Sequence, residues 1–192
     1  NVNSNTRNIV INNTSLSLES GDSFAITGPS GVGKSTLLNI ISGLDYQDTG
    51  EIFFDNLCFS DLSTSDKTKF RLQNISLVFQ SHNLLKDFNV NENILLPLMY
   101  KGLSEKQAKK RAKESLERVN MINHESSSIS TLSGGEAQRV GIARAISMKS
   151  KIIIADEPTG NLDNESSTSI LSYLIDVCSE NNITLIVASH DN

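Results

Sequence analysis

Cysteine is scarce in this chain of 192 residues. Cys58 and Cys178 stand far apart and belong to no metal-type spacing, which reads as two reduced thiols in a cytosolic protein. Positive charge is not in excess either. The net charge is −5, which argues against DNA or RNA as the main partner. No apolar run approaches the ~20 residues that span a bilayer, so a membrane role requires a partner. The first residues are polar and Asn-rich, unlike a signal peptide. An initiator Met is missing, and Asn192 follows directly on an apolar strand. The expectation is a piece trimmed at both ends from a somewhat longer domain. What is present is globular: 38% hydrophobic and 20% charged residues, enough for a single domain over 1–192 with a substantial core.

Ile9-Val10-Ile11, Leu16-Ser17-Leu18 and Glu51-Ile52-Phe53-Phe54 are short apolar runs bounded by Asn, Ser, Gly or Asp. They predict a small antiparallel sheet. Four further strands are better defined: Phe24-Ala25-Ile26-Thr27, Ile75-Ser76-Leu77-Val78-Phe79, Ile152-Ile153-Ile154-Ala155 and Thr184-Leu185-Ile186-Val187-Ala188. Their nearly continuous hydrophobicity suits a parallel sheet buried on both faces. Helical stretches separate them, so the core is α/β. Residues 81–149 predict a helical insert. Within it Ser104 and Gln107 form a capping-box pattern, and Ala108, Ala112, Leu116 and Val119 recur at helical spacing on an otherwise Lys- and Glu-rich helix.

Gly28-Pro29-Ser30-Gly31-Val32-Gly33-Lys34-Ser35-Thr36 fits the phosphate-loop pattern G-x-x-x-x-G-K-S between a strand and a helix over 37–42. Glycines let backbone N–H groups turn inward around phosphate oxygens, and the helix start adds a favourable dipole. Lys34 is expected to reach the β- and γ-phosphates of ATP, and Ser35 to ligate Mg2+. Asp156-Glu157 ends the strand that begins at Ile152. Alone, such a pair is more often a solvated loop. The phosphate loop upstream and the sharp break at Pro158-Thr159-Gly160 favour a site instead. Asp156 is then expected to hold Mg2+ and Glu157 to activate the attacking water. His190 and Gln80 also end strands, and each alone would read as structural. Yet four strands end in Gly28, Gln80, Asp156 and His190, and ligand groups in open α/β sheets collect at the carboxyl ends of strands. Gln80 can sense Mg2+ or the attacking water, and His190 can contact the γ-phosphate.

Leu132-Ser133-Gly134-Gly135-Glu136-Ala137-Gln138-Arg139 is the most specific segment. Ser133 with Glu136 is again a capping-box pattern, for a helix over 136–147. A cap does not explain Gly134 and Gly135, which cost helix stability. Paired glycines at a helix start allow an anion close to the backbone. The anion would be the γ-phosphate on a second copy of the chain.

Together these residues resemble the nucleotide-binding domain of ATP-binding cassette (ABC) proteins, over nearly the whole chain. The resemblance implies a P-loop NTPase fold: a RecA-like parallel sheet core, a small antiparallel β-subdomain and an inserted α-helical subdomain. It makes residues 28–36 the Walker A loop, Gln80 the Q-loop residue, Leu132 to Gln138 the signature, and 152–157 the Walker B strand with catalytic Glu157. It makes Asn161-Leu162-Asp163 the D-loop and His190 the switch histidine. It further implies a homodimer in the ATP-bound state, with each ATP between one P-loop and the other subunit's signature. Transmembrane permease subunits are the implied partners, docking near the segment after Gln80 and placing the chain at the cytoplasmic face of the inner membrane. Phe79-Gln80-Ser81-His82-Asn83-Leu84-Leu85, Asn89-Val90-Asn91-Glu92-Asn93 and residues 156–163 look like the macrolide-export, lipoprotein-release and cell-division ATPases. Export or lipoprotein release is the function this implies; a cell-division complex that signals across the membrane is the alternative.

There are departures from the family pattern. No Tyr, Phe or Trp occurs among residues 1–23, where the family's adenine-stacking ring would fall about at Asn1. Either that ring was trimmed away or base stacking is weak. Ala137 and Gly141 stand where close relatives carry Gln and Ala. Strand and helix elements normally follow His190. Nucleic-acid machines share the signature but add coiled coils, zinc-binding cysteine pairs or a tandem basic second cassette. The short stretch from Lys34 to Ser133 has no room for the first, and two lone cysteines exclude the second.

Overall fold

The computed structural model describes residues 9–160 and 164–189. Four parallel strands form the central sheet: β1 (Ser23–Thr27), β4 (Ile75–Phe79), β5 (Ile152–Asp156) and β6 (Thr184–Ser189), in the order β1-β6-β5-β4. Their register brings Thr27 beside Ser189, Ala188 beside Asp156, and Asp156 beside Phe79. All four strands therefore end on one edge.

Alternation along the strands divides the core. Ile154 and Ile186 pack on one face with Leu38 of α1 (Lys34–Ser42). Ile153, Ala155 and Leu185 pack on the other, against residues of α5 (Gly134–Ser147) and α6 (Asn164–Glu180). Both faces are covered, which is why these strands read as unbroken apolar runs. The insert contributes α3 (Val90–Tyr100), α4 (Glu105–Arg118) and α5. Ala108, Ala112, Leu116 and Val119 are all buried on the inner face of α4 and its end, as their spacing predicts. Among the described residues no helix is long and apolar enough to cross a membrane.

The antiparallel part is smaller than expected. It is one hairpin of β2 (Phe53–Phe54) and β3 (Leu57–Cys58). Ile9-Val10-Ile11 and Leu16-Ser17-Leu18 are not strands. A ladder needs a partner at about 4.8 Å. Instead an open cleft lined by Ile9, Leu16, Phe53 and Leu57 separates this segment from the hairpin, and Asn13 at φ 45° interrupts its extended course. Apolar content alone could not reveal that separation. Helix α2 (Thr64–Asn74) escaped the sequence reading, although Ser63 and Asp66 carry the S-x-x-D cap that starts it.

Candidate functional site

The loop between β1 and α1 carries the phosphate-binding pattern. Gly33 is the N-cap of α1 at φ 106°, a left-handed conformation that side chains resist. A Cβ there would also lie 2.8 Å from Val10 Cγ1, so glycine is required twice over. Lys34 opens the helix and is buried. Its Nζ donates to Gly28 O at 2.8 Å and to Pro29 O at 3.2 Å, and pairs with Glu157 Oε1 at 3.6 Å. The ammonium thus sits inside the curve of its own loop. Pro29, Ser30, Gly31 and Val32 complete that loop; Ser35 and Thr36 fall in the first turn of α1, Ser35 exposed. The helix begins three residues earlier than the apolar pattern predicted, because Lys34 to Thr36 are already helical.

Asp156 is the last residue of β5, and Glu157 leaves the sheet at φ 45°. A non-glycine residue in that region costs of order 1 kcal/mol and marks a constrained position. The Glu157 N–H donates to Ala188 O at 2.9 Å, which fastens the turn to the end of β6. Asp156 Oδ1 is buried and has no hydrogen-bond partner. A buried carboxylate oxygen without a donor is costly unless a cation or its water shell meets it, so this donor set fits Mg2+. Gln80 follows β4 at the same edge. A Cβ on Gly160 would lie 2.8 Å from Gln80 Nε2, so the glycine at 160 lets that side chain lie against the turn that Glu157 begins. Gly28, Lys34, Gln80, Asp156 and Glu157 are therefore brought together. His190 and Asn161-Leu162-Asp163 lie outside the described residues.

The signature occupies a different place, the start of α5. Ser133 Oγ accepts from Glu136 N at 3.3 Å, and Ser133 N donates to Glu136 Oε2 at 2.8 Å, the reciprocal box that the spacing predicted. The Ser133 backbone N–H, then its hydroxyl, hold the Glu136 carboxyl below its ordinary pKa. The helix starts at Gly134 rather than Glu136, so both glycines lie in its first turn. Ser133 and Gly134 are exposed, which leaves this helix start open to a second molecule.

Sequence reasoning missed the link between these two places. Arg144 of α5 reaches back to the loop after Gln80, donating from Nη1 to Asn83 O at 2.8 Å and from Nη2 to His82 O at 2.9 Å. His82 Nδ1 also meets Gln138 Oε1. The available signal was an arginine within the small and apolar run 140–146 of a buried helix.

Known proteins resemble this chain over most of its length. The ABC transporter family model matches residues 11–160. The chain is similar to the lipoprotein-releasing system ATP-binding protein LolD of Ehrlichia canis, 43% identical over 183 residues that cover 95% of this chain and 81% of the relative. It is 41% identical to the LolD protein of Pseudoalteromonas translucida, covering 95% and 78%. Among solved structures, a dimeric post-hydrolysis state of the ATP-binding cassette MJ0796 bound to ADP and Pi superposes with a TM-score of 0.88 at 38% identity, covering 95% of this chain and 80% of that one.

Proposed function

The chain belongs to the ABC transporter family, as an ATP-binding and ATP-hydrolysing subunit, and on that premise we propose that it powers lipoprotein release or export through a transmembrane permease by ATP-driven closure of a homodimer. The relatives support lipoprotein release, since both are ATP-binding proteins of lipoprotein-releasing systems. The observation that carries the chemistry is the meeting of Lys34 and Glu157, 3.6 Å apart, on the edge where Gln80 and Asp156 also end. We read residues 1–192 as one ABC ATPase domain, with 81–149 as its helical subdomain, peripheral at the cytoplasmic face of the inner membrane.

In this reading the loop from Gly28 to Thr36 cradles the phosphates with backbone N–H groups, and Lys34 binds the β- and γ-phosphates. Ser35, Gln80 and Asp156 would hold Mg2+, which would supply charge neutralisation at the γ-phosphate. Gln80 orients the attacking water and Glu157 takes its proton, while His190 steadies the γ-phosphate. Ser133, Gly134, Gly135 and Glu136 of the second copy complete the site. ATP bound by both copies favours the closed dimer, and hydrolysis removes that differential contact.

The test uses tagged full-length protein carrying Glu157→Gln, recovered from gently solubilised native membranes in ATP and Mg2+. The amide cannot take the proton, so turnover falls about a hundredfold or more. The expected result is two copies per complex with a permease bearing a large extracytoplasmic domain. Cell-wall or division-ring proteins in place of that permease would support the cell-division alternative. A single copy in saturating ATP would overturn the composite site.

A further inference from the structure

The loop after Gln80 is held in an unusual backbone. His82 and Asn83 both have positive φ, 62° and 46°. Two successive non-glycine residues in the left-handed region persist only where their surroundings hold them. Here the holder is one face of α5, made by Gln138, Gly141 and Arg144 at i, i+3 and i+6. Arg144 donates to both carbonyls of the strained pair, one from each terminal nitrogen. Gln138 meets the His82 ring. Gly141 leaves His82 O at an ordinary contact distance of 3.9 Å from where a Cβ would stand. Burial pulls the Arg144 pKa below its ordinary value, so the guanidinium depends on those carbonyls to offset its desolvation. Further along the loop, buried Asn93 receives Leu85 N–H at 2.7 Å and donates to Leu85 O at 3.0 Å, which ties the segment to α3 as well.

We propose that Arg144 is a positioning residue that locks the loop bearing Gln80 to the helix bearing Ser133, so that the part of one ATP site that Gln80 serves and the part of the other that Ser133 serves move as one body. The inference rests on the reading that Gln80 and Ser133 serve ATP. Arg144 reaches the loop through the backbone carbonyls of His82 and Asn83. It acts by fixing, through His82 and Asn83, how the start of α5 stands relative to the Gln80 loop. A planar fork with two parallel donors suits this task, and a lysine ammonium does not match it.

The test uses the full-length protein with Arg144→Gln. ATP affinity stays near native, because the Lys34 loop is untouched. The turnover number and the ATP-driven dimerisation of the Glu157→Gln background each fall about tenfold or more, as expected for two lost charge-assisted bonds. Amide exchange at residues 82–85 accelerates in the same variant. Arg144→Lys recovers part of the turnover. Faster exchange at 82–85 with native turnover and native dimerisation would overturn the proposal. Should Arg144→Gln fail to fold, Arg144→Lys and His82→Ala are judged by the same readouts, and native turnover in both overturns it. Failure of Glu157→Gln to dimerise with Arg144 intact would instead defeat the composite-site reading itself.

Discussion

At the scale of single residues, Lys34 shows how a charge is kept inside a protein. Its ammonium is buried, which is unfavourable unless the charge is answered. Two carbonyls of its own loop and the Glu157 carboxylate answer it. Those groups hold the ammonium inside the curve where phosphate oxygens are expected. Lys34→Ala removes this charge from a position where alanine is a good helix former, so the fold survives. ATP affinity is expected to fall about tenfold or more with the loss of a charge-assisted contact. Titration with a fluorescent ATP analogue checks it; an unchanged affinity would count against the phosphate-loop assignment. The identity of Lys34 was legible from its motif. Its contact with Glu157 was not, because the two are far apart in sequence and meet only through strand register.

At the scale of elements, the helix ends are where residue type acts most directly. α3, α4 and α5 each start with a capping box, from Asn89 and Glu92, Ser104 and Gln107, and Ser133 and Glu136. The last two were readable from spacing. α3 was harder, because Ile94 to Met99 is apolar on all sides and includes Pro97, which hides the helical period. At the other end of α1, Gly43 takes φ 71° and closes the helix with a bond to Ile40 O. A Cβ there would lie 2.6 Å from Phe59 Cζ, within the tight ring cluster of Phe54, Phe59 and Phe70. Gly43→Ala therefore meets both backbone strain and a buried clash, and is expected to cost about 2 kcal/mol or more. Urea unfolding measures it, and a loss within about 0.5 kcal/mol would show that the ring cluster yields easily.

At the scale of the whole molecule, acid sensitivity collects at helix starts. Asp66 is held below its ordinary pKa of 3.8 chiefly by the Ser63 hydroxyl, then by Lys69. Glu105 is held below 4.5 by Lys109, and Glu136 by the Ser133 N–H and hydroxyl. Each folded value lies below the unfolded one. The stabilisation is therefore complete above the ordinary carboxylate range and is lost as pH falls through the lowered folded values. Asp66 and Glu105 are exposed and Glu136 half-exposed, so salt screens the ionic parts and each contribution is small. Urea midpoints are expected to hold steady from neutral pH down to the 4.5 typical of glutamate, then decline, and Ser133→Ala should decline less steeply. A decline that begins near neutrality would point to other groups.

The sequence by itself determined the parallel strands, the phosphate loop, the acid pair and the capped signature. These are local matters: hydrophobic period, glycine freedom and cap chemistry act within a few residues. It was equally clear that Gln80 and Asp156 end strands. The parallel sheet already implied that these ends share one edge; only the tertiary structure decided which of them are neighbours, because that depends on which strands pair. The same is true of the Lys34–Glu157 pair, of Gly160 making room for Gln80, and of Arg144 reaching the loop at His82 and Asn83. It also decided against strands at Ile9-Val10-Ile11 and Leu16-Ser17-Leu18, since an apolar run becomes a strand only where a partner lies within reach of its backbone.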